Sequence, residues 1–349
     1  MDRRSLGSGR LKSLNLNRLL TILGAAILLG LLIGLGLGDV VGYLRRIGFG
    51  WLFIIGQETL PILANTAAWN WAFPAEHRRV KFWRLLKMRL AGDGLNYLIP
   101  TATVGGEIWR IDTLRRETGA SVAAASVTLA KFDQFLGQAL FIAVGLTVAA
   151  LFAPLKPELM PWLWGVLAAC LLFLGLIFLG LRRGMFAMLT RLMDAYLPRR
   201  LRTYLPAEKL AELDRLISAY LGQDRRAFLT SVGLFTAAWA LGAVEVFLIF
   251  HFLGLPIEVT TAVTVETLSI FIDLVLFFMP AKLGTQEGGK VLIFLSLGLP
   301  AAAGLSFGLV RRVRELLWAG VGLACLSSFP KVKEAPANTE SVADTGPGA

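Results

Sequence analysis

Six long apolar stretches mark the chain, at 19–38, 50–73, 121–152, 160–181, 227–253 and 301–329. Each reaches the ~20 residues a helix needs to cross a bilayer core. Leu19–Gly38 and Met160–Leu181 carry no charge, whereas the other four include polar or charged residues. Between them run two shorter, interrupted patterns. Asp93-x6-Pro100-x6-Glu107-x2-Arg110 recurs 180 residues later as Asp273-x6-Pro280-x6-Glu287-x2-Lys290. Each copy is an apolar run that stops at a proline, where the missing N–H breaks a helix. It then passes a glycine-bearing turn and presents a carboxylate and a cation one helical turn apart. The pattern predicts an all-α integral membrane protein with about six full transmembrane helices plus two re-entrant helical hairpins.

Charge decides how these pieces are oriented. Apolar residues make up 56% of the chain and charged residues 17%, with a net charge of +11. The cations gather between spans, so they act as topology signals rather than as a nucleic-acid surface. The arm 1–18 holds Arg3, Arg4, Arg10, Lys12 and Arg18; segment 74–90 holds six Lys or Arg; segment 182–226 holds ten against five Asp or Glu. The connections 153–159 and 254–258 are nearly free of cations, and 39–50 with Arg45 and Arg46 is mildly discordant. With the N-terminus in the cytoplasm, all the basic segments fall on the cytoplasmic side and so does the C-terminus. The first hairpin, about 82–116, then dips in from the cytoplasm and the second, about 259–299, from outside.

Three crossings plus one hairpin per half make the halves inverted relative to each other. The expected organisation is a basic cytoplasmic arm at 1–18 and a first membrane repeat at 19–152. A second repeat at 153–329 contains the cytoplasmic segment 182–226, and 330–349 is a disordered tail. Amphipathic pieces of 182–226 with basic polar faces are suited to anionic lipid headgroups at the inner interface. The same shift of 180 superposes Lys131 on Arg311. Cys170 and Cys325 lie in apolar spans and form no metal spacing or disulfide framework. Leu19–Gly38 is expected to stay as a signal anchor.

A charge at the middle of a span costs ~2.5–3.5 kcal/mol on insertion scales, so such residues face a partner or a wet cavity. Span 301–329 carries Arg311, Arg312, Arg314 and Glu315; span 121–152 carries Lys131, Asp133 and Gln134. Glu245, Glu266, Asp273 and Lys282 lie in span 227–253 and the second hairpin, while Glu58, Asn65 and Asn70 lie in span 50–73. One reading is a hydrophilic groove for a polar headgroup. In it Lys131 and Arg311 hold an anion, Arg110 and Lys290 serve the hairpin mouths, and Gly105, Gly106 and Gly284 aim backbone N–H groups at a ligand. Asp93, Glu245, Glu266 and Asp273 are candidates for proton coupling, because burial favours the neutral carboxyl. The other reading is internal pairing that holds the halves in register. Glu107 with Arg110 and Glu287 with Lys290 would be i,i+3 pairs, and Arg311 or Arg314 would neutralise Asp273 or Glu266. No metal or organic cofactor is expected.

Leu95-Asn96-x3-Pro100-x4-Gly105-Gly106-Glu107-x2-Arg110-x3-Leu114-x4-Gly119 resembles the first signature of the lysylphosphatidylglycerol synthase-type transmembrane family. Pro280-x3-Gly284-x2-Glu287, followed by Gly298 and Arg311, resembles the second. The resemblance spans about 15–330 and implies a flippase-like protein that moves lipid between leaflets. It matches the short stand-alone form, expected to lack an aminoacyl-transferase domain. Two positions depart from the family pattern: a lysine, Lys131, stands where arginine is usual, and Asp133 follows it at two residues rather than three. The intramembrane charges and the resemblance together make Asn96, Pro100, Gly105, Gly106, Glu107, Arg110, Lys131, Asp133, Pro280, Gly284, Glu287, Lys290, Arg311 and Arg314 candidates for substrate binding or translocation.

The leading expectation is a non-enzymatic lipid flippase or transporter of the bacterial inner membrane. Its cargo would be a phospholipid, aminoacyl-lipid, hopanoid or glycolipid. Homo-oligomerisation or association with lipid-synthesis enzymes is compatible with it. An intramembrane lipid-modifying enzyme using Glu107 and Glu287 as acid and base is one alternative. A non-transporting subunit of a lipid-biosynthesis complex is the other.

Overall fold

A computed structural model describes residue 23 and residues 25–74, 80–98, 105–154, 157–182, 215, 219–222, 224–275 and 284–329. The basic arm, most of 182–226, the tail, Pro100, Pro280 and Lys282 lie outside the described residues. All regular elements among the described residues are helical. They are α1 (Ala25–Gly34), α2 (Leu37–Ile47), α3 (Gly50–Gln57), α4 (Thr59–Trp71), α5 (Phe82–Leu98), α6 (Gly105–Thr118) and α7 (Ala120–Phe152). A 3₁₀ turn at Pro157–Leu159 leads into α8 (Met160–Arg182). Then come α9 (Arg225–Leu253), α10 (Val259–Val275), α11 (Thr285–Ser296) and α12 (Ala301–Leu326).

Among the described residues three helices are long and apolar enough to cross a membrane: Ala120–Phe152, Pro157–Ile177 and Arg225–Leu253. The bent pair α1–α2 makes a fourth if it counts as one span. This is the architecture of a helical membrane protein, with fewer uniform spans than the hydropathy pattern predicts. The differences have local causes. The first apolar run does not continue straight to residue 38; Gly36, at φ 84°, lets the chain turn, and α2 leaves α1 at 92°. Residues 39–50, expected to be a loop, are therefore mostly the amphipathic α2, with Val40 and Ile47 buried. Stretch 50–73 is two helices divided at Glu58. Pro61, which has no N–H to offer the Gln57 carbonyl, accounts for the break. Gln57 instead anchors across the molecule, donating from Nε2 to the Leu241 carbonyl at 2.7 Å. Stretch 301–329 is one helix, but its mid-length charges hold it below the apolar threshold of a simple span.

The helices pack into one bundle. α12 lies along α5, α9 along α4 and α7, α10 along α7, and α11 along α12. Membrane helices gain little from hydrophobic exclusion, so close approach relies on small residues. At the α5–α12 contact a Cβ on Gly94 would come within 3.0 Å of the Ala319 carbonyl and the Leu323 nitrogen. At the α7–α9 contact a Cβ on Gly137 would stand 2.9 Å from the Thr236 nitrogen. Three apolar cores result among the described residues: one around Phe250, Phe294 and Phe307, one around Trp69, Phe73, Leu129 and Phe235, and a small one of Val40, Val291 and Leu305. Large side chains such as Trp162, Leu172, Phe173 and Leu176 on α8 remain exposed, as lipid contact requires.

Candidate functional site

Two polar clusters interrupt this apolar bundle. The first is built on α5, α6 and α7. Arg89, Asp93 and Tyr97 are spaced by four along α5 and so share one face. Arg110 donates from Nη2 to Asp93 Oδ1 at 2.6 Å and to the Arg89 carbonyl at 2.7 Å. Its Nη1 is 3.4 Å from Glu107 Oε1, and its guanidinium lies over the Trp69 ring at 5.7 Å. Glu107 also accepts from Lys131 Nζ at 2.9 Å and from Asn96 Nδ2 at 3.0 Å. The i,i+3 pair expected between Glu107 and Arg110 is present, but it is one contact in a network of six residues, Arg89, Asp93, Asn96, Glu107, Arg110 and Lys131.

The glycines of this turn serve packing more than ligand binding. Gly106 does aim its N–H inward, but Asn96 Oδ1 takes it at 2.7 Å. A Cβ on Gly106 would drive into the Gly92 carbonyl, and one on Gly92 would strike the Arg110 guanidinium. The expectation that the Gly106 N–H points at a ligand is thus corrected: the side chain of Asn96 occupies it. Gly105 starts α6, and Gly284, at φ 72°, precedes α11, a backbone conformation in which glycine is favoured.

The second cluster joins α9, α10, α11 and α12 to the residue between α3 and α4. Arg311 donates to Glu266 in a very short contact and lies 2.9 Å from Glu245 Oε2. Arg314 lies 2.8 Å from that same oxygen and donates to Glu58 in a second very short contact. Arg312 donates to Glu287 Oε1 from Nε at 3.0 Å and from Nη2 at 2.9 Å. It also reaches Gln286 Oε1 at 3.0 Å and the Tyr97 hydroxyl at 3.4 Å. Gln286 in turn donates to Asp273 Oδ2 at 3.2 Å. Of the internal pairs anticipated, Arg311 with Glu266 forms. Glu287 takes Arg312 rather than Lys290. Lys290 is buried, with Asp273, Glu315 and Glu287 as its acidic neighbours.

Between the clusters lies a cavity of about 210 Å³. Glu58, Asp93, Tyr97, Arg314, Glu315 and Trp318 line it, with Gly94 and Ala319 at the α5–α12 contact. Tyr97 ties the two clusters together, since it borders the cavity and accepts from Arg312. The cavity offers carboxylates, a guanidinium, a phenol and an indole in one place, the inventory for a polar or zwitterionic group.

Asp133 does not join either cluster. Two residues from Lys131, it points elsewhere around α7, is fully buried, and accepts from the Tyr220 hydroxyl at 2.7 Å. It belongs to the packing of the 219–222 helical turn and not to the headgroup groove expected of it. The sequence reading left Arg89, Tyr97, Gln286 and Trp318 unassigned, and noted Glu58, Arg312 and Glu315 only as intramembrane charges. Four-residue spacing from Asp93 was a usable signal for Arg89 and Tyr97. Nothing in the pattern marked Gln286 or Trp318, whose roles depend on which helices meet.

A family model described as lysylphosphatidylglycerol synthase TM region matches residues 18–323. No curated protein matches the chain, and no solved structure does.

Proposed function

Because the chain belongs to the lysylphosphatidylglycerol synthase TM-region family, we propose that it is a flippase for a polar-headgroup lipid in the bacterial inner membrane. The observation that carries this reading is the charged cavity between α4, α5 and α12, sunk in an otherwise apolar bundle. A headgroup would sit among Glu58, Asp93, Tyr97, Arg314 and Glu315 while its tails stay in lipid. Such charges at membrane depth are costly and mark pathways in transporters.

The helix pairing supports two inverted halves. A shift of 180 places α4 on α9, α5 on α10, α6 on α11 and α7 on α12. The packing follows the same correspondence: α5 on α12 answers α10 on α7, and α6 on α7 answers α11 on α12. The pair α4–α9 maps onto itself, as a pair astride a pseudo-two-fold axis must. One departure stands out: α7 packs along α9, with no comparable packing of α4 on α12 among the described residues. Repeats of this kind place substrate sites where interrupted helices meet. In this reading both termini are cytoplasmic, the lipid leaves chemically unchanged, and the basic stretch 182–226 rests on anionic headgroups.

The test is leaflet-resolved movement of a fluorescent phosphatidylglycerol and a fluorescent phosphatidylethanolamine in proteoliposomes. The native chain should move at least one of them faster than protein-free vesicles. Arg314→Gln, inside the cavity, should abolish the excess rate while the protein stays folded. An unchanged rate in Arg314→Gln would remove the cavity from the pathway.

A further inference from the structure

We infer that Glu58, Glu245 and Glu266, held on Arg311 and Arg314, form a proton-binding site that couples the transport cycle to the proton gradient. The inference deepens the lipid-transport reading, resting on it for the site's role but not for its existence.

Charge counting within the contact network is the starting point. Three carboxylates share two guanidinium groups. Glu266 takes Arg311, Glu58 takes Arg314, and a single oxygen of Glu245 receives both, at 2.9 and 2.8 Å. Arginine stays charged at any accessible pH, so the fully ionised cluster carries one uncompensated negative charge. Glu245 and Glu266 have side chains only 1% and 6% exposed, and Arg311 only 7%. An unbalanced charge is expensive there, because the desolvation penalty of each ion is repaid only by full pairing. Neither oxygen of Glu245 accepts a hydrogen bond and both are buried, so its contacts with the two arginines are ion pairs alone. One proton removes the excess charge and supplies an O–H donor at the same time.

The surroundings do not supply the missing cation. α11 and α12 add Lys290, Arg312, Glu287 and Glu315, and α10 adds Asp273. Counted with the core five, these give six carboxylates against four cations among the described residues. α5 contributes Asp93 across the cavity, held by Arg110, and Arg89, a buried cation that acts on both Asp93 and Glu58. α7 contributes Lys131, which is bound to Glu107. With Asp93, Glu107, Arg89, Arg110 and Lys131 included, eight carboxylates stand against seven cations among the described residues, so one negative charge stays uncompensated.

The local design keeps the carboxylates together. A Cβ on Gly242 would strike the Glu266 carboxyl, so glycine one turn before Glu245 is what admits Glu266 to the cluster. Glu58 and Arg314 also line the 210 Å³ cavity, which is polar and roomy enough for water. Glu58 is therefore the port through which a proton enters. The step is the addition of one proton to one carboxylate of the set. Strongly interacting carboxylates titrate as a unit, so the proton belongs to the cluster. A lipid headgroup in the same cavity would sense whether Glu58 and Arg314 are paired.

The test uses the full chain in lipid nanodiscs and infrared difference spectroscopy of the protonated carboxyl C=O stretch. As pH falls from about 9 to about 5, a range reached by buried carboxyls, the protein carrying Asp133→Asn, which removes the buried carboxyl outside both clusters, should take up one proton into a buried carboxyl; the Glu variants are made in that background. Glu58→Gln, Glu245→Gln and Glu266→Gln should each lose that signal, because two carboxylates on two arginines are already balanced. Glu117→Gln, at the surface, should keep it. No buried carboxyl signal in the Asp133→Asn protein overturns the inference, as does a signal that survives all three glutamine variants. In proteoliposomes, a pH gradient should accelerate movement of the fluorescent phospholipids by the native chain and leave any movement by Glu266→Gln unchanged. Proton uptake without lipid movement would leave the site standing and sink the transport reading. Lipid movement without uptake would do the reverse.

Discussion

The two polar clusters occupy positions related by the same 180-residue shift, yet they are built to opposite rules. The first is partly wet: Asp93 is 48% exposed and Lys131 33%. Three cations, Arg89, Arg110 and Lys131, surround Asp93 and Glu107. The second is sealed only at its core, where Glu245 is 1% exposed, Glu266 6% and Arg311 7%, and carboxylates outnumber cations in it. Lys131 and Arg311 correspond, but lysine is a point charge that satisfies one carboxylate, here Glu107. Arginine has five donors, and Arg311 spans Glu245 and Glu266 rather than turning to Glu287, the counterpart of Glu107. Positions 106 and 286 diverge in the same way. Gly106 donates its backbone N–H to the side chain of Asn96, while Gln286 uses its own side chain to bridge Asp273 and Arg312. Matched sequence positions have thus been given one cationic, accessible end and one anionic, closed end.

The sharpest way to break this contrast is to delete one cation from each cluster. Arg311→Ala leaves Glu58, Glu245 and Glu266 to a single guanidinium inside the bundle. Breaking a buried pair in this way costs about 3–5 kcal/mol. Lys131→Ala should cost less, because Glu107 keeps Arg110 and Asn96. Reversible denaturation in mixed micelles measures both. Equal losses would mean that the sealed and wet descriptions are wrong.

Much of this was written in the pattern. Asp93, Glu107, Arg110 and their shifted counterparts announced two interrupted helices, and α5–α6 and α10–α11 lie where those breaks fall. The apolar runs gave α7, α8 and α9 almost to the residue, because uninterrupted hydrophobicity leaves few alternatives. What escaped the pattern depends on geometry between distant helices. Glu58 meets Arg314 across 256 residues and Arg312 meets Tyr97 across 215, and no local spacing encodes such pairs. The turn at Gly36 was hidden because the apolar run continues through it to Leu37. Asp133 was drawn into the site by its nearness to Lys131 in sequence, although two helical positions point in well-separated directions.

Asp133 offers the next test, since it is a buried carboxylate that belongs to neither cluster. Tyr220→Phe removes the hydroxyl that Asp133 accepts from. A hydrogen bond to a charged group is worth about 1.5–3 kcal/mol, so stability should fall by that order. The rate of lipid movement per folded molecule should not change. A rate that falls as far as in Arg314→Gln would return Asp133 to the pathway.

Gly106→Ala probes the first turn directly. The new methyl would meet the Gly92 carbonyl, which is backbone and cannot swing aside. Overpacking of this kind costs about 1–3 kcal/mol. It should also push Asn96 off Glu107, since Asn96 packs in the same gap. Gly242→Ala meets only the end of the Glu266 side chain. It should expel Glu266 from Arg311 and so cost more, as breaking a buried pair does. Denaturation midpoints rank the two, and a larger loss for Gly106→Ala would reverse the order predicted.

The smallest effect is expected where charge lies outside both clusters. Arg84 pairs with Glu117 between the start of α5 and the end of α6, with side chains 47% and 31% exposed. Exposed pairs contribute about 0–1 kcal/mol and weaken as salt rises. Glu117→Gln should therefore shift the denaturation midpoint barely at all at low salt and not at all at high salt. Glu107→Gln should keep most of its cost at both, because Glu107 and its partner Arg110 are only 12% and 8% exposed. Salt dependence thereby separates a pair that merely closes the hairpin from the charges that the bundle has taken out of water. A salt-sensitive Glu107→Gln would place the first cluster with the surface pairs and leave the second as the only electrostatic core.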